Sequence, residues 1–193
     1  KFGFSQSTRR TEDNRFLTGK GRYADDLNLS GQAWGWVVRS PHANAVIRSI
    51  DATAAKAAPG VVDVITGSEL DAADANNVPT MVPMTNRDGS AAPLPKHPVL
   101  CTDKVRHVGD SVAFVVAETL AEAKAAAELV EVDYEMLDAV ADTVLTLEDG
   151  QPLVHDEVAN NLAYDWDYGD EAANATIFDS AAHVVKLDLV NNK

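Results

Sequence analysis

Between Lys104 and Met136 the order of apolar and polar residues changes rhythm three times. Val112–Ala117 is an unbroken apolar run, the pattern of a strand covered on both faces. Thr119-Leu120-Ala121-Glu122 then has capping-box spacing: the Thr hydroxyl accepts from an early helical N–H while Glu122 reaches back to the cap N–H. Glu122, Lys124 and Glu128 fall on the wet side of the helix that follows, and Ala121, Ala125 and Leu129 on its dry side. Val130, Val132 and Tyr134 next alternate with Glu131, Asp133 and Glu135, which predicts a half-buried strand. Two strands joined by a helix of this length are expected to run parallel with a right-handed crossover.

A shorter copy of the same plan lies upstream. Ala45–Ile50 predicts a strand and Asp51 an N-cap for a helix over Ala52–Ala58. Pro59-Gly60 stops that helix, and Val61–Ile65 is the next strand. No fixed-period repeat underlies the likeness, since small Ala faces let any helix approach a sheet closely. Before it, Ala33–Arg39 reads as a strand with Trp34 and Trp36 on one face, ended by Ser40-Pro41. The expectation is an α+β fold, a mixed sheet with Ala-rich crossover helices.

The remaining stretches are less regular. Lys1–Asp26 is polar, with Phe2, Phe4, Phe16, Leu17 and Tyr23 as its apolar anchors and Arg9, Arg10, Arg15 and Arg22 as its cations. It reads either as a solvated arm pinned by its aromatics or as a segment lying against another domain or subunit. Residues 1–30 are assigned to this arm and 31–193 to the domain with its exit segment. Ser68–Pro98 is mostly irregular, with a helical turn near Ser68–Leu70, and is longer than compact domains usually carry without a purpose. It is either a mobile surface loop or a lid or partner-binding excursion. Thr143–Leu147 predicts a short helix, Glu171–Ala182 a weak one, and His183–Val190 a strand with Val185, Leu187 and Leu189 on one face. A start at Lys1 and an end on a strand suggest a piece of something larger.

Composition narrows the function. The 193 residues are 46% hydrophobic and 24% charged, an ordinary globular balance. A net charge of −14 argues against nucleic acid, which needs a basic stripe. The single Cys101 excludes a disulfide within the chain and reads as a buried thiol or, alternatively, a reactive nucleophile. No basic–apolar leader opens the chain and no apolar run is long enough to span a membrane, so a cytoplasmic setting is expected.

Candidate chemistry is sparse. The five histidines, His42, His97, His107, His155 and His183, lack partners at metal-finger or metalloprotease spacing. Gly19-Lys20-Gly21 lacks the third glycine and preceding buried strand of a dinucleotide site and reads as a turn. Asp165-x-Asp167-x-Gly169-Asp170 suggests a calcium loop, but Thr176 stands where a bidentate Glu is required. No P-loop and no Gly-x-Ser-x-Gly elbow is present. The residues alone describe an α+β domain with no visible active site.

Motif order adds a further reading. GFSQSTRRTEDNRFLTGKGRYADD, VRSPHANAVIRSIDATAAKAAPGVVDVITGSEL, PVLCTDKVRHVGDSVAFVVAETLAEAKAAAELVEVDYEML, DGQPLVHDEVANNLAYDWDYGD and AAHVVKLDLVNN succeed one another along nearly the whole chain. In that order and spacing the chain resembles the N-terminal part of molybdenum hydroxylase large subunits: the xanthine dehydrogenase, aldehyde oxidase and aerobic carbon monoxide dehydrogenase family. The resembled unit is the aldehyde oxidase/xanthine dehydrogenase a/b hammerhead domain. Gly109-Asp110-Ser111 stands where many relatives have Gly-(Glu/Gln)-Pro, so a less stiff turn is expected there.

The resemblance implies an oxidoreductase subunit that hydroxylates a substrate, or oxidises carbon monoxide, at a molybdenum–pterin cytosine dinucleotide centre. Electrons would pass to iron–sulfur clusters and FAD on partners. No position here matches the family's pterin loops or catalytic Glu, so no catalytic, cofactor-binding or metal residue is assigned, and no cofactor is expected in this stretch. Implied partners are the remainder of the large subunit, an iron–sulfur subunit and an FAD subunit. Arg9, Arg10 and Arg15 are the candidate partner contacts. Two rival readings stand beside this one: a stand-alone small-molecule or protein-binding module, and a small hydrolase using His42 or His107 with a nearby carboxylate.

Overall fold

The computed structural model describes residues 10–189. In chain order the elements are α1 (Asp13–Leu17), β1 (Trp34–Arg39), β2 (Ala45–Asp51), α2 (Thr53–Lys56), β3 (Val61–Thr66) and α3 (Gly67–Ala72). They continue with β4 (Lys104–Val105), β5 (Ser111–Ala117), α4 (Leu120–Ala127), β6 (Glu131–Met136) and α5 (Glu171–Ser180). The strands form two three-stranded sheets, in the orders β1-β5-β3 and β4-β2-β6. Every ladder is antiparallel.

This corrects the expected mixed sheet with its parallel crossovers. The strands and helices of both predicted strand–helix–strand units are present, but α4 carries the chain from β5 in one sheet to β6 in the other. The helix α2 does the same between β2 and β3. The crossover rule holds only when both strands lie in one sheet. Here the first strand of each strand–helix–strand unit pairs with the last strand of the other: β2 with β6, and β5 with β3. The two units thus exchange strands.

The buried run predicted for β5 is what joins the sheets. On one face Ala113 and Val115 pack against Val64 of β3, Ala55 of α2 and Ala126 of α4. Val112, on the other face, belongs to a second cluster with Ala45, Ile47, Cys101 and Val105. Phe114 lies over Gly35 of β1, where an added Cβ would sit 2.3 Å from the ring. Only a residue without a side chain leaves room for that ring.

The helix starts follow the local signals in part. The helix α2 is shorter than the expected Ala52–Ala58, and its N-cap is Ala52 rather than Asp51, whose side chain reaches the first helical residue instead. Asp51 accepts from the Thr53 N–H at 2.8 Å, and this bonding to Thr53 holds its carboxyl below the usual range. Thr119 accepts from the Glu122 N–H at 3.2 Å and donates its hydroxyl to the Glu122 carboxylate at 2.7 Å. The box therefore closes on the cap's hydroxyl rather than on its backbone N–H. Gly60, at φ +73°, brings its backbone against this cap: a Cβ there would lie 2.3 Å from the Glu122 carboxyl, and the Gly60 carbonyl accepts from the Glu118 N–H at 2.8 Å. The left-handed φ is what favours glycine at this position, since the Glu122 carboxyl can swing aside.

The long excursion after β3 is tied down at both feet. The buried Asn76 side chain donates to the carbonyls of Gly67 at 3.2 Å and Leu100 at 2.9 Å, and accepts from the Leu100 N–H at 2.9 Å. Its tip is held as well, by Arg87 in a two-pronged ion pair with Asp165 at 2.8 and 3.1 Å. Asp165 of the apparent calcium loop is thus engaged by an arginine, and Asp170 caps α5 by accepting from the Ala173 N–H at 2.8 Å.

The arm packs Phe16 on Tyr23 with ring centroids 5.6 Å apart, and the Gly19–Gly21 stretch is the turn expected. Phe2, Phe4 and Arg9 lie outside the described residues, as does Val190. Residues 183–189 form no strand; Val185, Leu187 and Leu189 are exposed and unpaired among the described residues. Alternation gives a segment a strand-like face, but a strand also needs a ladder partner.

Two substitutions test these joints. Asn76→Ala leaves buried backbone groups unpaired and should cost about 1–3 kcal/mol in urea unfolding. Thr119→Ala should cost about 1 kcal/mol through the lost cap.

Candidate functional site

Strand β4 and the turn before β5 meet the exit segment, residues 149–170, and Cys101 and His155 lie at this junction. Lys104, buried, reaches across to the Leu153 carbonyl at 3.3 Å and to Asp156 at 3.4 Å. Asn161 holds the same segment in shape: it accepts from the Val154 N–H at 2.8 Å and donates to the carbonyls of Pro152 at 3.0 Å and Thr146 at 3.2 Å. Between the two surfaces runs a cleft of three adjoining hollows, of about 270, 320 and 290 Å³. Val154 lines all three.

The middle hollow is polar. Asp110 is its organiser: the carboxylate accepts from the Arg106 backbone N–H at 2.7 Å and faces His107 Nε2 at 3.2 Å. The turn expected to be loose for want of a proline is therefore tied by a side chain. Gly109, at φ +91°, allows its reversal, donating to the Ser40 carbonyl at 2.8 Å and accepting from the Arg39 guanidinium at 2.8 Å. Arg106 donates to the Lys104 carbonyl at 3.1 Å, while its Nε has no partner. Asn44 Oδ1, on the wall of the first hollow, has none either.

Cys101 has its thiol pushed up to about 12, first by burial and then by the Asp110 carboxylate. It is protonated at neutral pH, as the buried-thiol reading expects; the nucleophile reading is overturned. The His155 imidazole is held below the usual histidine value, first by burial and next by the positive Arg106. Both ring nitrogens of His107 face oxygens, Asp110 Oδ1 and the Val108 carbonyl at 3.0 Å. Neither is left free to serve as a base. His42 stands edge-on to Tyr134 at 4.9 Å, a packing contact. His107 has the nearby carboxylate of the hydrolase reading in Asp110, but among the described residues no hydroxyl or thiol hydrogen-bonds to the His42 or His107 ring.

The implied molybdenum cofactor does not fit the residues present. Among the described residues no three His, Cys, Asp or Glu side chains stand close enough to hold a metal ion. The one thiol is neutral and buried. Arg10 and Arg15 lie apart from the cleft, on and beside α1, where Arg10 meets Asp13 at 4.0 Å and Arg15 meets Glu12 at 3.4 Å. Sequence reading missed the cleft because Arg106, Asp110 and His155 converge only through folding. Asn76 and Asn161 were missed because a loop asparagine gives no local sign of burial.

Two exchanging strand–helix–strand units over antiparallel sheets define an a/b hammerhead. Residues 18–138 match the family described as aldehyde oxidase and xanthine dehydrogenase, a/b hammerhead domain, and the chain belongs to that family. It is 36% identical to the carbon monoxide dehydrogenase large chain of Afipia carboxidovorans, over 97% of this chain and 23% of that one. Its fold matches a crystal structure of Cu,Mo-CO dehydrogenase in the carbon monoxide reduced state, with a TM-score of 0.71 and 34% identity over 94% of this chain and 23% of that one. Quinoline 2-oxidoreductase from Pseudomonas putida 86 gives a TM-score of 0.72 at 38% identity, over 93% of this chain and 22% of that one. The chain thus spans about a quarter of the length of these relatives.

The thiol supplies the test of the site. Its folded value lies above its unfolded one, so the stabilisation is complete below the unfolded value and is lost as pH rises through the folded value near 12. Alkylation of Cys101 in the native chain at pH 8 should proceed only through unfolding, orders of magnitude slower than for a free thiol. Labelling at the free-thiol rate would contradict the buried site.

Proposed function

We propose that this chain serves as the N-terminal a/b hammerhead domain of a molybdenum-dependent hydroxylase or dehydrogenase large subunit, of the carbon monoxide dehydrogenase or xanthine dehydrogenase type. The observation that carries this reading is coverage: 97% of the chain aligns with under a quarter of a carbon monoxide dehydrogenase large chain. The domain is catalytically silent alone and acts as a scaffold. Molybdenum–pterin cytosine dinucleotide is held by the remainder of the subunit, and iron–sulfur and FAD centres by partners. No step of the oxidation runs through the residues described here. The setting is cytoplasmic; among the described residues no helix is long and apolar enough to cross a membrane. A stand-alone binding module is the less favoured reading, because the relatives named above are all several times longer than this chain.

Arg9, Arg10 and Arg15 are the proposed contact with the iron–sulfur subunit. Supporting this, Arg10 and Arg15 are exposed cations on a chain of net charge −14. Expressed alone, the chain should be folded and free of molybdenum by elemental analysis; stoichiometric molybdenum would overturn the scaffold reading. In the complete subunit, Arg10→Glu with Arg15→Glu should weaken assembly with the iron–sulfur subunit at least tenfold. Unchanged assembly would remove the arm from the interface.

A further inference from the structure

The cleft beneath the exit segment has a chemistry that the scaffold role does not use. Its middle hollow, about 320 Å³, places Arg106 and Lys96 with the imidazoles of His97, His107 and His155. One carboxylate, Asp110, shares the wall. In a chain of net charge −14 this hollow is close to charge balance, with Arg106 set against Asp110 on one wall.

The two formal cations differ in availability. Lys96 is paired with Asp71. Arg106 has no carboxylate nearer than Asp103 at 3.9 Å, and Asp103 is mostly solvent-exposed. Its guanidinium makes one hydrogen bond, to the Lys104 carbonyl. Four of its five N–H donors therefore lack a hydrogen-bond partner within the described chain. The His155 imidazole is depressed first by burial and next by the charge of Arg106, with Glu157 acting in the opposite sense.

The flanking hollows are apolar. One is walled by Ala43, Val108, Ala139 and Val140, the other by Pro93, Pro95 and Val158. An arginine with unspent donors between apolar ends suits a ligand with one negative group on a hydrocarbon body. A dianion would bring a second charge against Asp110 with no cation left to meet it. We propose that the cleft is a binding site for a small aromatic or aliphatic monocarboxylic acid, its carboxylate on Arg106 and its body beside Val154. This assignment is separable from the scaffold reading, since the lining residues it uses all belong to this chain.

The test titrates the chain separately with benzoate, benzamide and inorganic phosphate, following the ring signals of His97, His107 and His155 by NMR. Benzoate should bind saturably, at least tenfold tighter than either benzamide or phosphate, with a backbone spectrum that stays folded. Arg106→Gln should weaken benzoate at least tenfold. Val154→Phe, which fills the shared wall and leaves the charges in place, should do the same, so that the proposal remains testable should the arginine variant not fold. Benzamide binding as tightly as benzoate would make the cleft merely apolar. Phosphate binding as tightly would make it a general anion site. A non-saturating response, or unchanged binding in either folded variant, would also overturn the proposal.

Discussion

Most of this molecule depends on β5 being buried from two sides at once. Ala113 and Val115 complete the core beneath α2 and α4, while Val112 enters the core of the opposite sheet. A strand in that position cannot tolerate polar residues on either face, which is why Val112–Ala117 is continuous rather than alternating. Its antiparallel neighbours β1 and β3 take their register from it. The Gly60 contact with the Thr119–Glu122 cap then fixes one strand–helix–strand unit against the other. With two cores meeting at one strand, damage to either sheet is felt in both.

That economy has a functional side. The domain's polar side chains are largely consumed in holding irregular segments to the two sheets. Asn76 closes the excursion, Asn161 shapes the exit segment, Lys104 ties that segment to β4, and Arg87 pins the excursion's tip to Asp165. Groups that resemble chemistry in the sequence prove to be structural: Cys101 is a neutral core thiol, and His107 has both nitrogens against oxygens. The cleft around Arg106 is where polar capacity remains unspent.

The elements were legible in the sequence and their arrangement was not. Apolar runs and cap residues placed the bounds of β5, α4 and β6 to within a residue or two, since those signals are local. The expected dry side of α4, Ala121, Ala125 and Leu129, is exposed, however, and Ala123 and Ala126 are buried instead. Parallel pairing was the wrong expectation, because the choice between returning to the same sheet and passing to the other depends on contacts between the two units, such as Gly60 with Glu122. The segment 183–189 failed for a related reason: its alternation describes a face, and a ladder needs a partner the local sequence cannot supply. The family resemblance supplied the hammerhead assignment that periodicity alone did not reach. The cleft escaped both approaches, because Arg106 and His155 lie 49 positions apart in the sequence and meet only across a folded surface.

The central claim is that this chain is a self-contained scaffold in which two sheets share one cooperative core through β5. Native-state hydrogen exchange on the chain, without molybdenum or partners, tests it most directly. The amides of β5 and those of β2 and β6 should open with the same free energy, equal to that of global unfolding. Exchange of β2 and β6 at markedly lower free energy would separate the sheets, and absence of protection throughout would show that the fold requires the rest of an assembly.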